Sequence, residues 1–409
     1  MSQSFKKFGL LGSLYVAQYI PIAFFYQALP TFLRQQGASL EVIGMIGFLA
    51  VPWMLKFLWS PYIDRIRFRW GHYRIWILLF QSLLILNLIL CAFLNLQQQL
   101  PVMLFCMLLI CFFAASQDIA TDALAIGLLN QNERGIGNGI QSGGNFLGSI
   151  IGGGILLILL DRLGWTVSIL LLAGFMLLSL IPIMFHREVL LPLPAQLPGF
   201  STLIQFFRCS GHWQWLLLLS LYMTGGSMAS GMIRPLMVDR GFSLSDIGWI
   251  LGVVSFSAGL VGSLIAGWLI TRWGYKRSLI VFGLISTIAI ATYFPIALGS
   301  SEQILVYGSN ILVAIAGGMT FTATLAMMMN YSRLETAGTD YTIQVSVVYF
   351  SGILAMVLGG FLAQSCGYAA MFSISIGLTL ISIILIARGI LKYPALSELS
   401  NQDACTIEN

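Results

Sequence analysis

Two aspartates lie one helical turn apart near the end of a long apolar stretch. Asp118 and Asp122 are four residues apart within residues 101–127, so a helix places both carboxylates on one face. Lys56, in the apolar stretch 41–60, is expected at a similar depth. An ionised group among apolar residues faces a polar cavity or another charge. Two interpretations stay open: a structural charge cluster, or a proton-coupling site at one carboxylate, with Asp118 preferred.

A single basic residue, Arg234, lies inside the apolar stretch 213–238 and is followed by Pro235. A buried guanidinium needs an anion, which a ligand's phenolate or carboxylate, or a carboxylate on another helix, supplies. Amide and phenol groups recur at helical spacing in three further stretches, where Tyr15 shares a face with Gln18. The residues that we predict to bind a substrate are Gln18, Tyr26, Gln27, Gln141, Asn145, Arg234, Tyr341 and Gln344. Hydrogen bonds between helices, each worth about 0.6 kcal/mol, are the alternative role for each residue.

The side chains that hold metals or build catalytic triads lack the spacing that such sites need. The six cysteines form no CxxC pair, and the histidines, at positions 72, 186 and 212, lie at the ends of apolar stretches. We therefore predict no metal site, no cofactor and no enzymatic activity.

The composition determines which elements must position these groups. Hydrophobic residues make up 58% of the 409 residues and charged residues 9%, which excludes a water-soluble protein. Apolar stretches of about 20 residues match the hydrocarbon core of a bilayer, where backbone groups must bond internally. We predict an all-α polytopic membrane protein with twelve transmembrane helices. The predicted helices cover residues 9–33, 41–60, 75–96, 101–127, 136–160, 165–185, 213–238, 244–270, 278–299, 304–331, 338–365 and 368–391.

A degraded repeat divides these helices into two halves. Residues Pro30, Gly37, Ser39, Leu40, Ile43 and Gly44 are echoed half a chain later by Pro235, Gly241, Ser243, Leu244, Ile247 and Gly248. Repeats of this kind are common in transporters. We predict an N-terminal six-helix bundle over 1–185, a cytoplasmic linker over 186–212, a C-terminal six-helix bundle over 213–392 and a disordered cytoplasmic tail over 393–409.

The basic residues are distributed asymmetrically along this topology. If Met1 is cytoplasmic, all of the 20 Lys and Arg except Arg34, Arg162, Arg234 and Arg240 fall at cytoplasmic ends or loops. The positive-inside rule therefore predicts that both termini are cytoplasmic. The formal charge of +5 is explained by topology and indicates no nucleic-acid partner.

Two short basic loops follow the second predicted helix of each half. One contains Asp64, Arg65 and Arg74, and the other contains Arg272, Lys276 and Arg277. The loops resemble the loop signature of the major facilitator superfamily. The resemblance implies a cytoplasmic gate, in which a carboxylate and guanidinium groups form a latch that alternating access breaks and remakes. The first loop departs from the signature at Ser60, where glycine is usual, and the second has Thr271 in place of the acid.

A narrower resemblance covers the whole chain and is densest through residue 154. Residues 27–30, 33–37, 55–61, 117–123 and 133–135 are similar to the muropeptide permease and acetyl-CoA transporter group of that superfamily. The twelve-helix length and residues 338–342 are more similar to its RhtX/FptX siderophore-transporter branch. The resemblance implies two pseudo-symmetric bundles, with the polar residues named above lining one substrate site near the midplane between them.

These observations lead to an expected function. We expect a secondary transporter of a bacterial inner membrane that imports an iron–siderophore by alternating access and is driven by the proton gradient. A muropeptide permease is the alternative, and a membrane-embedded enzyme or a non-transporting sensor is the third possibility. The expected partners are a small-molecule substrate and the lipid bilayer.

Overall fold

The computed structural model describes residues 3–29, 49, 51–69, 71–95, 99–188, 198–209 and 211–389. These residues are almost entirely helical. The helices, numbered in chain order, are α1 (Gln3–Ala23), α2 (Val51–Leu55), α3 (Ser60–Arg65), α4 (Tyr73–Ala92), α5 (Leu100–Leu128), α6 (Arg134–Ser149), α7 (Leu156–Phe185), α8 (Phe200–Arg208), α9 (His212–Asp239), α10 (Leu244–Gly248), α11 (Ser255–Trp273), α12 (Tyr275–Ala291), α13 (Phe294–Ala297), α14 (Gln303–Asn330) and α15 (Ala337–Ala387). Three of them, α1, α6 and α10, continue through a π-helical turn, at Phe24–Ala28, Ile150–Ile155 and Trp249–Val254.

Nine helical stretches in the described ranges are long and apolar enough to cross a membrane. Two of them are about twice the usual length, Gln131–Phe185 with 55 residues and Leu334–Ala387 with 54 residues. A glycine in the left-handed region divides each one: Gly164 has φ 75° and Gly367 has φ 83°, a conformation that costs glycine least. The described part of the chain thus contains eleven crossing segments. The remaining predicted segment, 41–60, is described only at residues 49 and 51–60, where α2, a 3₁₀ turn and the start of α3 follow one another. Residues 30–33 and 390–391 of the first and last predicted helices lie outside the described residues. The other predicted helices are confirmed where they are described, although α1 begins earlier, at Gln3.

The described residues form two compact units. The first unit comprises those within 1–130, 144–199 and 334–342, and the second unit comprises those within 131–143, 200–333 and 343–409. The first turns of α6 therefore belong to the second unit, and the first turns of α15 belong to the first unit. The predicted division into six-helix bundles stays a prediction, and the predicted tail lies outside the described residues.

Buried polar side chains tie the helices of the first unit together. Gln117 on α5 donates from Nε2 to Gln81 Oε1 on α4 at 2.8 Å, and Gln81 Nε2 donates to Met176 O on α7 at 2.8 Å. Trp165 Nε1 donates to Cys91 O at 2.9 Å. These bonds satisfy groups that the apolar surroundings would otherwise leave unpaired.

The second unit has an apolar core built from α9, the turn after α10, α12, α14 and α15. Met237, Ile250 and Phe372 are fully buried in it. The Tyr293 ring lies 5.3 Å from the Phe372 ring, and its hydroxyl donates to Asn310 Oδ1 at 3.0 Å. The phenol thereby packs its apolar body in the core and satisfies its polar end.

The connection between the predicted halves, which the sequence predicts to be a cytoplasmic linker, contains a helix. Helix α8 buries Thr202 and Phe206 and exposes Phe200 and Ile204. The prolines of this connection precede α8 in the sequence, so they do not interrupt its hydrogen bonds.

Candidate functional site

Asp118 lies at the centre of a buried polar cluster in the first unit. Its carboxylate accepts hydrogen bonds from Gln18 Nε2 on α1 and from Lys56 Nζ, which is also its ion-pair partner. Gln18 and Lys56 are fully buried, and Asp118 is 3% exposed. Lys56 Nζ also lies 5.1 Å from the centre of the Trp53 ring, within the range of a cation–π contact. We name Tyr15, Gln18, Lys56, Asp118 and Asp122 the acid cluster.

The second aspartate of the cluster is held by the same pair of helices. Tyr15 donates from its hydroxyl to Asp122 Oδ1 at 3.2 Å, and both side chains are buried. Tyr15 and Gln18 are three residues apart, and their partners Asp122 and Asp118 are four apart in the reverse order. The helices α1 and α5 are therefore antiparallel at this point, with one turn of each facing one turn of the other.

The acid cluster brings three ionisable side chains together. Lys56 carries one positive charge and the two carboxylates carry two negative charges when ionised. A buried charge is costly unless it is paired, and Lys56 supplies the partner of Asp118. The geometry brings these charged groups together, and the proton-coupling role of Asp118 stays a prediction.

A row of glycines holds α6 and the following π-helical turn close to α1. A Cβ atom added to Gly144 would lie 3.0 Å from Tyr15 Cβ, and one added to Gly148 would lie 2.7 Å from Tyr19 Cβ. One added to Gly152 would overlap the carbonyl oxygen of Ile20. Small residues at this four-residue spacing let membrane helices approach closely. The residues of α1 that carry the acid cluster are therefore fixed from both sides, by α5 and by the glycines.

Asp64 at the end of α3 caps the first turn of α15. Its carboxylate accepts hydrogen bonds from Gly338 N at 3.1 Å, Thr339 N at 2.7 Å and Thr339 Oγ1 at 2.6 Å. It also accepts one from the Tyr73 hydroxyl at 2.9 Å. Burial raises the pKa of Asp64 to about 6, against the hydrogen bonds from Thr339 and Tyr73, which lower it.

This arrangement differs from the predicted latch of a carboxylate and guanidinium groups. Within the described ranges, no ion pair joins Asp64 to Arg65 or Arg74, and Arg65 is exposed. The physical reason is that backbone N–H groups at a helix start already satisfy the carboxylate. The predicted gating role of these residues stays a prediction.

Arg74 and Glu188 form a pair of reciprocal caps in the first unit. Arg74 donates from Nε to Ile183 O at 3.2 Å and from Nη2 to Met184 O at 2.7 Å, at the end of α7. Glu188 accepts from the backbone N of His72, Tyr73 and Arg74 at 2.8, 3.1 and 2.9 Å, at the start of α4. Each charge thus meets the helix end whose dipole it complements.

A cavity of about 210 Å³ adjoins these caps and is lined by Arg67, His72, Tyr73, Arg187 and Glu188 among others. His72 is 5% exposed. Burial, and then the charge of Arg67, lowers the pKa of His72 to about 4.

The second basic loop is held differently from the first. Thr271, which stands where the signature has an acid, donates to Gly267 O within its own helix at 3.1 Å. Arg272, Lys276 and Arg277 are all exposed. None of the three forms an ion pair with a carboxylate in the part of the chain that the structure describes.

The other predicted substrate-binding residues are placed in varied surroundings. Gln344 is buried, where it accepts from Trp215 Nε1 at 2.6 Å and donates to Met328 O and Ser332 Oγ, each at 3.1 Å. Gln344 thus forms hydrogen bonds between helices, which is the alternative to a role in substrate binding.

Arg234 is exposed, although the sequence suggests a buried guanidinium. Of the rest, Gln141 and Tyr341 are buried, Gln27 and Asn145 are half-buried, and Tyr26 is exposed.

Sequence reasoning missed three residues that the structure places at these contacts: Glu188, Thr339 and Tyr73. Thr339 donates through its backbone N–H and its hydroxyl to a carboxylate 275 residues earlier in the chain, so local spacing gives no signal of the contact. Glu188 gives no such signal, since it caps a helix more than 100 residues earlier in the chain.

Comparison with known proteins gives matches along nearly the whole chain. The family model described as Major Facilitator Superfamily matches residues 11–228 and 215–403. The chain is 26% identical over 388 residues to the "Anhydromuropeptide permease" of Escherichia coli (strain K12), which covers 93% of this chain and 79% of that protein. It is 22% identical over 383 residues to the "Putative transporter AmpG 1" of Rickettsia conorii, covering 87% and 91%. These relatives confirm the resemblance to the muropeptide permease group and give the siderophore branch no support.

Solved structures share the fold. The human organic anion transporter MFSD10 (TETRAN) superposes with a TM-score of 0.75 at 14% identity, covering 94% of this chain and 100% of that chain. A structure of the Escherichia coli fucose:proton symporter FucP superposes with a TM-score of 0.71 at 16% identity, covering 94% and 98%. At such low identity the likeness concerns the fold alone.

Proposed function

The chain belongs to the major facilitator superfamily, and from this premise we propose that it is a proton-driven permease for muropeptides, the sugar–peptide fragments of bacterial cell walls. Membership makes the chain a multi-pass membrane transporter of a small molecule and not an enzyme. The observation that carries the proposed substrate is the similarity to an anhydromuropeptide permease along 93% of the chain. The same similarity supports the proposal that the membrane is a bacterial inner membrane, and the basic residues support cytoplasmic termini.

The chemistry of a muropeptide fits the polar residues predicted to bind a substrate. Such a molecule carries sugar hydroxyls, amides and carboxylates. We propose that the carboxylate is bound by Arg234, whose exposed guanidinium is available to a bidentate partner. Amide groups such as those of Gln27 and Asn145, both half-buried, supply donors and acceptors for the sugar and peptide parts.

Proton coupling is assigned to the acid cluster. A proton that binds to Asp118 would neutralise its carboxylate and release Lys56 from the buried ion pair. Asp118 is the proposed coupling residue, because two donors on different elements, Gln18 and Lys56, converge on it. A change in either contact would change how readily Asp118 holds a proton.

Siderophore import, the function first expected from the sequence, is the competing outcome of the test. The chain is reconstituted in liposomes with an imposed pH gradient. Accumulation of a labelled muropeptide is then compared with accumulation of radio-iron loaded on siderophores. We expect uncoupler-sensitive uptake of the muropeptide and none of the iron complexes. Iron uptake without muropeptide uptake would move the function to the siderophore branch.

Two substitutions test the assigned roles. Asp118→Asn is expected to abolish gradient-driven accumulation and to keep exchange of labelled for unlabelled substrate, which needs no net proton movement. Arg234→Ala is expected to weaken substrate binding in both assays. The matched controls are Asp161→Asn and Arg162→Ala, which remove the same charges from exposed positions. If Asp118→Asn loses exchange and accumulation to the same extent, the residue is structural and the coupling role is wrong.

A further inference from the structure

An open cavity lies at the junction of α11 and α12 in the second unit. Its volume is about 580 Å³, and it is lined by Trp273, Gly274, Tyr275, Lys276, Arg277 and Ile280. Gly274 has φ 76° and is the single residue between the two helices. The cavity therefore combines two basic side chains, aromatic rings and an aliphatic wall at a tight turn.

Tryptophan rings orient the guanidinium groups beside this turn. Arg277 lies 5.3 Å from the centre of the Trp273 ring, and Arg272 lies 4.0 Å from the centre of the Trp268 ring. A stacked guanidinium keeps its N–H donors free at its edge, where they can bind a phosphate. Lys276 adds a third cation, so positive charge is concentrated at one turn.

The position of the turn relative to the apolar helices indicates what kind of anion reaches it. The candidate membrane spans Asp246–Trp273 and Tyr275–Ala297 end and begin on either side of Gly274. A one-residue connection between two spans lies at the membrane surface, the depth of lipid headgroups. Trp268 and Trp273 are 49% and 37% exposed, as expected for tryptophans at this interface.

We propose that this cavity binds the headgroup of an anionic phospholipid. The phosphate is bound by Arg277 and Lys276, with Arg272 adding to the attraction. The acyl chains lie along the apolar surface of α11 and α12, to which Ile280 belongs. A soluble phosphate makes no favourable contact with that apolar wall, whereas a phospholipid matches both the basic and the apolar parts of the site. The proposal does not depend on the transported substrate.

Native mass spectrometry of the full-length protein tests the lipid site. The purified protein is mixed with equal amounts of phosphatidylglycerol and phosphatidylcholine, and retained lipids are counted. We expect wild type to retain phosphatidylglycerol preferentially. Lys276→Gln/Arg277→Gln is expected to weaken its binding roughly 30-fold, from about fivefold for each charge lost at the membrane surface. The matched double variant Lys6→Gln/Arg162→Gln removes two exposed charges elsewhere and is expected to bind like wild type.

Further variants and a competitor make each result decisive. Arg277→Lys keeps the charge and is expected to retain most of the phosphatidylglycerol. Arg277→Gln alone, expected to weaken binding about fivefold, replaces the double variant if the latter elutes as aggregate. Equal retention of both lipids by wild type, or unchanged retention by the double variant, overturns the proposal. Displacement of the lipid by excess inorganic phosphate also overturns it, because the site would then be a general anion site.

Discussion

Lys56 and Asp118 form an ion pair in which neither side chain is appreciably exposed. A buried pair of this kind contributes little net stability, because the cost of removing both charges from water offsets their attraction. Removal of one partner is a different matter, since the other charge is then left buried without compensation. Single substitutions in the pair are therefore expected to lower stability much more than replacement of both residues together.

The first prediction concerns this asymmetry. Lys56→Met and Asp118→Asn are each expected to lower the free energy of unfolding by about 3 kcal/mol. The double variant Lys56→Met/Asp118→Asn is expected to recover most of that loss, because neither member of the ion pair is then left without the other. The measurement is a double-mutant cycle of denaturant unfolding in detergent. Strictly additive losses would show that the two side chains do not interact.

The second prediction concerns the contact between α1 and the glycine row. Gly148→Ala is expected to lower stability by about 1–3 kcal/mol, because the added methyl would lie 2.7 Å from Tyr19 Cβ and 3.0 Å from Val16 O. Gly154→Ala is the matched control, since nothing lies within 4 Å of a Cβ atom there. Thermal unfolding of both variants checks this, and equal behaviour would mean that α1 moves away without cost.

The third prediction follows from the raised pKa of Asp64. Because the folded pKa is about 6 and the usual value is 3.8, the folded state binds more protons than the unfolded state between these pH values. The stability that wild type has relative to Asp64→Asn, which does not titrate there, must therefore fall as the pH rises from about 4 to about 6. It is then constant above that window. Melting temperatures of both proteins across this range give the difference directly, and a difference independent of pH contradicts the raised pKa.

The fourth prediction concerns the cap of α4 by Glu188. Glu188→Gln is expected to cost about 1 kcal/mol, because the amide keeps one acceptor and loses the charge that favours a helix start. Glu302→Gln is the control, since Glu302 precedes α14 without making a side-chain cap. Chemical unfolding of the two variants compares them, and an equal loss would assign the effect to charge alone.

The sequence predicts the acid cluster in part. The four-residue spacing of Asp118 and Asp122 places both on one face of a helix whatever that helix packs against. Tyr15 and Gln18 are predicted to share a face in the same way. Whether these two faces meet depends on which helices are neighbours and on their register. The spacing of residues within one helix gives neither.

The caps show a different limit. The acid of the first basic loop, Asp64, is recognisable from the loop signature, but its partners are mainly the backbone N–H groups of Gly338 and Thr339. Every residue except proline has such a group, so side-chain types cannot identify which one is used. Two basic residues show the same difference. Lys56 donates to the side chain of Asp118, which the sequence places at a similar depth. Arg74 donates to main-chain carbonyls, which the sequence does not single out.

The paired turns of α1 and α5 also restrict how α1 can move. A slide of α1 by one turn would bring a carboxylate opposite an apolar side chain, Asp118 opposite Ile22 in one direction and Asp122 opposite Leu11 in the other. Such a slide would leave a charge among apolar side chains, whereas a tilt about the contact between Tyr15 and Asp122 keeps these two residues paired. The contacts of the acid cluster therefore disfavour translation of α1 along its axis more strongly than they disfavour a tilt.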